Sequence, residues 1–196
     1  MSNGKIAVVV GVSGVGKSTL LNKMINIATL EGVKLSVVNI GSIMLDIALN
    51  RNLARSRDDI RMLSLSVQEE LRKASYSKLV ELKKVNELTV IDTHYLVRSK
   101  GGYLIGLPKS LLDCIQPEFF AIIEAPVSDI LRRRQMDKTR NRGEVSPYEI
   151  EVEQSITRNS IFVLAALYNA NVVRVINKEG KADEAARKLF NFIVRG

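Results

Sequence analysis

The stretch Gly11-Val12-Ser13-Gly14-Val15-Gly16-Lys17-Ser18 decides the fold of this 196-residue chain. It fits the phosphate-binding loop pattern G-x-x-x-x-G-K-S/T, in which glycines allow a tight turn that brings backbone N–H groups against phosphate oxygens. In that pattern Lys17 reaches the β- and γ-phosphates, and the Ser18 hydroxyl can ligate Mg²⁺. A chance match in a chain of this length has a probability on the order of 1%. We therefore expect the chain to bind a nucleoside triphosphate.

The residues on both sides of this loop support the prediction. Ile6–Val10 is a short apolar run, typical of a buried strand, that leads directly into Gly11. From Thr19 onward, apolar residues recur with the period of a helix. A strand, a glycine-rich turn and a helix are the context that the pattern requires. The predicted nucleotide contacts therefore extend from Gly11 to Thr19.

Apolar runs alternate with helical patterns along the rest of the chain. The expected strands are Ile6–Val10, Leu35–Ile40, Leu88–Ile91, Phe119–Glu124 and Val172–Ile176, and the expected helices lie near 17–30, 43–53, 58–84, 108–115, 126–136, 147–169 and 182–194. Nearly continuous apolar strands are typical of a parallel sheet covered by helices on both faces. We predict a single α/β domain over residues 1–196, a three-layer α/β/α P-loop NTPase fold with a five-stranded parallel sheet. Its ligands should bind beyond the carboxyl ends of the strands.

Composition narrows the range of partners. No apolar stretch approaches the roughly 18 residues of a membrane span, and the N-terminus has no signal-peptide pattern, so we expect a cytoplasmic protein. The net charge of +8 indicates an anionic partner. Nucleic acid is not the expected one, because the chain has no Trp and only 5% aromatic residues. The single cysteine, Cys114, excludes an internal disulfide and is expected in the core.

The third predicted strand is followed by polar residues, in the sequence Val90-Ile91-Asp92-Thr93-His94. P-loop enzymes hold Mg²⁺ or its water shell with an acidic residue at such a strand end. Asp92 therefore joins Ser18 as a predicted metal ligand. His94 is the only histidine, and we expect it to have a structural or supporting role.

Positive charge is concentrated between Arg132 and Arg142. Ser146, followed by Pro147 and Glu149, has the residues of a helix-starting capping box. Residues 137–145 thus form a short basic loop between two helices, which we predict to be a lid. An arginine-bearing lid offsets the charge that develops on a transferred phosphoryl group. The predicted phosphoryl-site arginines are Arg133, Arg140, Arg142 and Arg158, whereas Arg132 and Arg134 are expected to be solvated.

A second basic cluster precedes the 58–84 helix. Arg57 and Arg61 are four residues apart and can share one helix face, where they either clamp a second phosphate or pair with neighbouring aspartates. Arg98 is expected in a glycine-containing loop after Asp92, as a further phosphate ligand.

Taken together, these features resemble the adenylate kinases of the archaeal type. The resemblance is carried, in chain order, by Gly11–Thr19, Asn39-Ile40-Gly41-Ser42, Arg57-Asp58, Ile91-Asp92-Thr93-His94, Gly102-Tyr103-Leu104-Ile105-Gly106-Leu107-Pro108 and Thr139-Arg140-Asn141-Arg142. It implies reversible, Mg²⁺-dependent phosphoryl transfer from ATP to AMP, giving two ADP. It also implies an AMP-binding helical segment at 42–84, a lid at 137–145 and a homotrimer.

The resemblance also assigns residues to the two nucleotides. Gly180 would lie by the ATP adenine, in the loop that follows the fifth strand. The acceptor residues would be Gly41, Ser42, Arg57, Arg61 and Arg98. Other adenylate kinases carry Thr-Gly-Asp with an arginine shortly after, whereas here Ile40-Gly41-Ser42 has no nearby arginine. Arg57 and Arg61 are the inferred substitutes.

Three alternatives remain open at this stage. A kinase for CMP or UMP would share every phosphate ligand. A GTPase is disfavoured, because Asn177-Lys178-Glu179-Gly180 lacks the aspartate of a guanine-reading motif. An RNA-associated P-loop ATPase would fit the basic charge.

The absence of an evident general base favours a nucleotide acceptor, since a monophosphate presents an oxygen that is already ionised.

Overall fold

The computed structural model describes residues 4–99, 102–136 and 146–196. Its strands are β1 (Lys5–Val10), β2 (Leu35–Asn39), β3 (Leu88–Asp92), β4 (Leu96–Ser99), β5 (Gly102–Ile105), β6 (Phe119–Glu124) and β7 (Asn171–Ile176). Its helices are α1 (Lys17–Leu30), α2 (Ile40–Asn50), α3 (Arg57–Met62), α4 (Leu65–Val85), α5 (Lys109–Ile115), α6 (Val127–Met136), α7 (Pro147–Tyr168) and α8 (Ala182–Arg195).

Five of the strands form a parallel sheet in the order β2-β3-β1-β6-β7. The central strand β1 is completely buried from Ile6 to Val10. Its side chains alternate between two hydrophobic cores: Ala7 and Val9 belong to the core that includes α1 and α8 residues, whereas Ile6, Val8 and Val10 belong to the core that includes α5 and α7 residues. The predicted five-stranded α/β/α architecture is confirmed.

All five strands of this sheet end at one edge, and that edge positions the site. The glycine-rich loop follows β1, Asn39 and Asp92 end β2 and β3, and Glu124 ends β6. Asn177 follows β7. Because parallel strands bring their carboxyl ends together, residues far apart in sequence meet here.

The fold differs from the sequence predictions at three places. The stretch after Asp92 forms an antiparallel hairpin, β4–β5, where a loop was expected. The predicted 58–84 helix is two helices, since Leu63 is extended and the Ser64 side chain caps α4 by accepting from the N–H of Val67. Cys114 is exposed: α5 buries Leu111, Leu112 and Ile115, and position 114 falls on the opposite side of the helix.

Helices α2, α3 and α4 share a small hydrophobic cluster of their own. It consists of Ala48, Ala54, Ile60 and Leu71, and is separate from the two cores against the sheet. The helical segment after β2 is therefore held together partly by contacts within itself. In the described ranges, none of the helices combines the length and the apolar character needed to cross a membrane.

Candidate active site

The glycine-rich loop joins β1 to α1 in the conformation that its glycines permit. Gly14 and Gly16 have φ values of 92° and 85°, a region that residues with a Cβ rarely adopt. Gly16 caps α1 without any side-chain hydrogen bond, and the first turn of α1 contains no acidic residue. A helix N-terminus with neither a capping side chain nor an acidic residue in its first turn favours an anion.

Residues of this loop and of the first turn of α1 differ in exposure. Gly11, Val12, Val15 and Lys17 are buried, whereas Ser18 and Thr19, in the first turn of α1, are exposed. The loop is therefore anchored to the core on one side. Ser18 and Thr19 lie on its exposed side.

Lys17 lies between two residues from the end of β3. Its Nζ is 3.5 Å from Asp92 Oδ1 and 3.2 Å from His94 Nε2, while only 6% of its side chain is exposed. A buried ammonium group requires such partners. His94 thus contacts the lysine of the loop, and the supporting role expected for it stays a prediction. That His94 contacts Lys17 could not be predicted from the sequence, because the contact depends on the fold.

Asp92 and Ser18 supply the kind of oxygen ligands that Mg²⁺ prefers. Asp92 Oδ1 is buried and, in the part of the chain that the structure describes, accepts no hydrogen bond. The described residues contain no cluster of three or more His, Cys, Asp or Glu side chains that could hold a metal by themselves. Mg²⁺ commonly binds through one or two protein ligands together with phosphates and water. The two residues therefore fit a Mg²⁺ ion that is bound together with a nucleotide.

Two arginines of α6 contact the loop from outside. Arg133 Nη1 donates to the carbonyl of Val15 at 3.0 Å, and Arg134 donates to the carbonyl of Ser13 through Nε at 3.0 Å and Nη2 at 2.7 Å. The expectation that Arg134 is solvated is wrong, because its position on α6 directs it at the loop. Arg132, with half of its side chain exposed, pairs with Asp129 and Glu179 as a surface residue.

Arg158 is held by a carboxylate that the sequence reasoning missed. Glu124 ends β6 with its side chain only 4% exposed, and it accepts a hydrogen bond from Arg158 Nη1 at 2.6 Å. Arg174 of β7 donates to its second oxygen. The available signal was an acidic residue at the end of an otherwise apolar strand. Glu124 thus fixes Arg158 beside the carboxyl edge of the sheet.

A cavity of about 320 Å³ lies beside Asp92, on the side of β2 and α2. It is lined by Val37, Val38, Asn39, Ser42, Ile43, Asp46 and Asp92. Ser42 sits in the first turn of α2, after Gly41, where its N–H donates to Asn39 Oδ1 at 3.3 Å. Asn39 in turn donates to the backbone oxygen of Asp92 at 2.9 Å. The cavity and the Lys17 environment therefore share Asp92.

The structure places the remaining predicted residues as follows. Arg57 and Arg61 belong to α3, and Arg98 belongs to β4, not to a loop as expected. Gly180 lies between β7 and α8 with φ of 71°. Arg140 and Arg142, with the whole predicted lid, lie outside the described residues.

Fold and site together define a P-loop nucleotide-binding protein, and comparisons with known proteins agree. A family profile described as an AAA domain matches residues 10–151. An APS kinase from Mycobacterium tuberculosis superposes with a TM-score of 0.55, at 14% identity and full coverage of both chains. A GTPase from Pyrococcus abyssi does so at 0.51, with 17% identity, over 94% of this chain and 71% of its own. At these identities the two structures support the fold alone.

Sequence relatives are more specific. The chain is 34% identical to an adenylate kinase from Methanococcus aeolicus, over 96% of this chain and 97% of that protein. Adenylate kinases from Saccharolobus solfataricus and Thermoplasma acidophilum are 35% and 37% identical, over 97% and 95% of this chain and 100% and 97% of their own. The chain belongs to the adenylate kinase family, which confirms the resemblance predicted from sequence.

Proposed function

We propose that this protein is an adenylate kinase that transfers the γ-phosphoryl group of ATP to AMP and releases two ADP. The observation that carries the proposal is the meeting of two sites at Asp92. A phosphate-binding loop lies on one side of it, and a cavity of about 320 Å³ lies on the other. The full-length similarity to adenylate kinases supports the same assignment.

The chemistry needs positioning and charge more than covalent participation. An oxygen of the AMP phosphate attacks the γ-phosphorus of ATP, and the bond to the β–γ bridging oxygen breaks, leaving ADP. Because the transition state is loose, negative charge spreads over the transferred group. Lys17 would leave Asp92 and His94 to contact the phosphates, and the amides of the loop would hold the β-phosphate.

We also propose Mg²⁺ as the cofactor, with Ser18 and Asp92 as the residues that hold it or its water shell. Mg²⁺ bound with ATP neutralises charge on the β- and γ-phosphates. Support comes from the Asp92 Oδ1 atom, which is buried and accepts no hydrogen bond within the described chain, although it lies 3.5 Å from Lys17 Nζ.

The arginines are assigned to two groups in this proposal. Those expected around the transferred phosphoryl group are Arg133, Arg140, Arg142 and Arg158. Those expected on the acceptor phosphate, with Gly41 and Ser42 beside it, are Arg57, Arg61 and Arg98. Arg133 donates to the carbonyl of Val15 in the structure, so it lies next to the loop, and it would have to leave this carbonyl to contact the transferred phosphoryl group. Gly180 is proposed to lie near the ATP adenine.

The proposal includes one P-loop kinase domain over residues 1–196, an AMP-binding segment at 42–84 and a lid at 137–145, acting in the cytoplasm. It also includes a homotrimer. Exposed apolar side chains on α7, Phe162, Val163 and Leu167, support self-association, since contiguous exposed apolar surface marks interaction sites. Sedimentation equilibrium would measure the mass of the assembly against that of the monomer, 21.8 kDa.

A coupled assay with ATP and each of AMP, CMP, UMP and GMP tests the function. We expect ADP formation that depends on AMP. Preferential turnover of CMP or UMP would assign the protein to another acceptor. ATP hydrolysis stimulated by RNA, with no monophosphate turnover, would reject the kinase proposal.

A further inference from the structure

We infer that Arg134, together with Arg133 and Asn177, orients the phosphate-binding amides of the loop from its outer side. These three residues are termed the outer clasp. The inference rests on the proposed function, since it concerns the donor nucleotide site. Arg134 would be a positioning residue: it touches the loop backbone and would act on the nucleotide through it.

The outer clasp holds two carbonyls of the loop, two residues apart. Ser13 O accepts two hydrogen bonds from the Arg134 guanidinium, at 3.0 and 2.7 Å. Val15 O accepts from Arg133 Nη1 at 3.0 Å and from Asn177 Nδ2 at 2.8 Å. Each carbonyl therefore has two donors, at least one of them charged, and hydrogen bonds from charged groups are the stronger kind.

The geometry of the peptide bond transmits this contact to the other face of the loop. In a trans peptide the C=O and the following N–H point in opposite directions, and no cis peptide occurs among the described residues. The N–H groups of Gly14 and Gly16 share their peptides with the carbonyls of Ser13 and Val15. They must therefore point away from the outer clasp.

Gly14 and Gly16 have positive φ values, 92° and 85°. This arrangement of the loop therefore favours glycine at both positions. A positively charged donor on a carbonyl also polarises the whole peptide, because chains of hydrogen bonds strengthen one another. The two amides are thus directed and made better donors before the nucleotide arrives. Preorganised donors of this kind need no rearrangement on binding.

The clasp is built on well-anchored elements. Ile130 lies one helical turn before Arg134 on α6 and is completely buried in the core. The Arg134 stem also covers the loop, since a Cβ placed on Gly14 would come within 3.1 Å of Arg134 Cγ. Asn177 is 3% exposed, and its own carbonyl accepts from Arg133 Nη2 at 3.1 Å. The clasp therefore joins α6 and the end of β7 to the loop.

The test compares Arg134→Met and Arg134→Lys with Arg132→Met, which removes the same charge two residues earlier, from a surface cluster with Asp129 and Glu179. Titration calorimetry would measure the Kd of AMPPNP, a non-hydrolysable ATP analogue, and of AMP. We expect Arg134→Met to raise the Kd of AMPPNP about tenfold or more, the scale of a lost hydrogen bond to a charged group. AMP binding should stay within twofold.

Kinetics give a second readout, which a purely structural role would not move in the same way. Arg134→Met should raise KM for ATP and leave kcat within about threefold, as expected when binding common to ground state and transition state is lost. Arg134→Lys replaces the planar guanidinium, which donates through two nitrogens, with a single ammonium group. Its KM for ATP should lie between those of wild type and Arg134→Met. Arg132→Met should match wild type.

Two results would overturn the inference. One is unchanged AMPPNP binding in Arg134→Met. The other is equal weakening of AMPPNP and AMP in both Arg134 variants, together with a lowered melting temperature, which would mean a general loss of structure. A wild-type protein that binds AMPPNP but does not phosphorylate AMP would reject the proposed function and leave the Arg134 comparison valid.

Discussion

The proposed donor and acceptor sides of the site are built in different ways. The donor side is a continuous loop that follows strand β1, which is buried from Ile6 to Val10, and α6 contacts the loop through Arg133 and Arg134. The acceptor side is a cavity assembled from β2, α2 and the end of β3. It borders a helical segment with a hydrophobic cluster of its own. The difference indicates a preformed donor site and an acceptor site that depends on how a separate group of helices packs.

The largest expected effect is on the donor side. Lys17→Met removes the only charge of the loop, and we expect turnover to fall about 10³-fold, the upper range for losing one group that stabilises transition-state charge. Steady-state rates at saturating ATP and AMP would measure this. Lys23→Met is the control, because Lys23 lies on the same helix in a surface pair with Asp183. A near-wild-type rate for Lys17→Met would mean that the loop is not the donor site.

The second-largest effect is expected at Asp92, the residue that the two sides share. Asp92→Asn keeps the shape of the side chain and removes its charge, so we expect turnover to fall about 100-fold, in the range found when residues around a metal are changed. The Mg²⁺ concentration that gives half-maximal rate should rise as well. Asp183→Asn, a surface change, should alter neither quantity. Unchanged Mg²⁺ dependence in Asp92→Asn would contradict the metal assignment.

A substitution in the cavity tests whether the two sides can be separated. Ser42→Leu would place a larger apolar side chain into the cavity of about 320 Å³. We expect KM for AMP to rise about tenfold, the scale of one to two kcal/mol of lost binding, while KM for ATP stays within twofold. Ser66→Leu, on the exposed start of α4, is the matched control. A rise in KM for ATP alone would mean that the cavity binds ATP and not AMP.

The smallest effect lies outside both sides. The Ser146 hydroxyl accepts from the N–H of Glu149 at 3.2 Å, and Glu149 Oε2 accepts from the N–H of Ser146 at 2.8 Å, which completes a capping box at the start of α7. Ser146→Ala should cost about 1 kcal/mol of stability and lower the melting temperature by about 2–4 °C. Both KM values should stay within twofold. A selective change in one of them would mean that this cap supports a binding site.

The contrast between the two sides also explains what the sequence could predict. The loop from Gly11 to Ser18 is contiguous, and its chemistry depends on spacing, so the motif predicted it directly. The five strands were predictable because each is a short apolar run. The hairpin β4–β5 was not, since the residues of β5 are all exposed and show no buried strand pattern.

Contacts between segments that are distant in the chain could not be predicted from the sequence. Glu124 pairs with Arg158 across 34 residues, and Arg134 reaches Ser13 across 121. Nothing in the local pattern of Arg132 to Arg134 distinguishes the one that faces solvent from the two that face the loop. That choice is made by the direction of α6, which tertiary packing determines.

In the proposed reaction, donor and acceptor nucleotides bind together and exchange a phosphoryl group directly. Initial rates with ATP and AMP varied against each other test it most directly. We predict double-reciprocal lines that intersect, as a ternary complex requires. Parallel lines would indicate a ping-pong reaction through a phosphorylated enzyme and would exclude direct transfer between the two nucleotides.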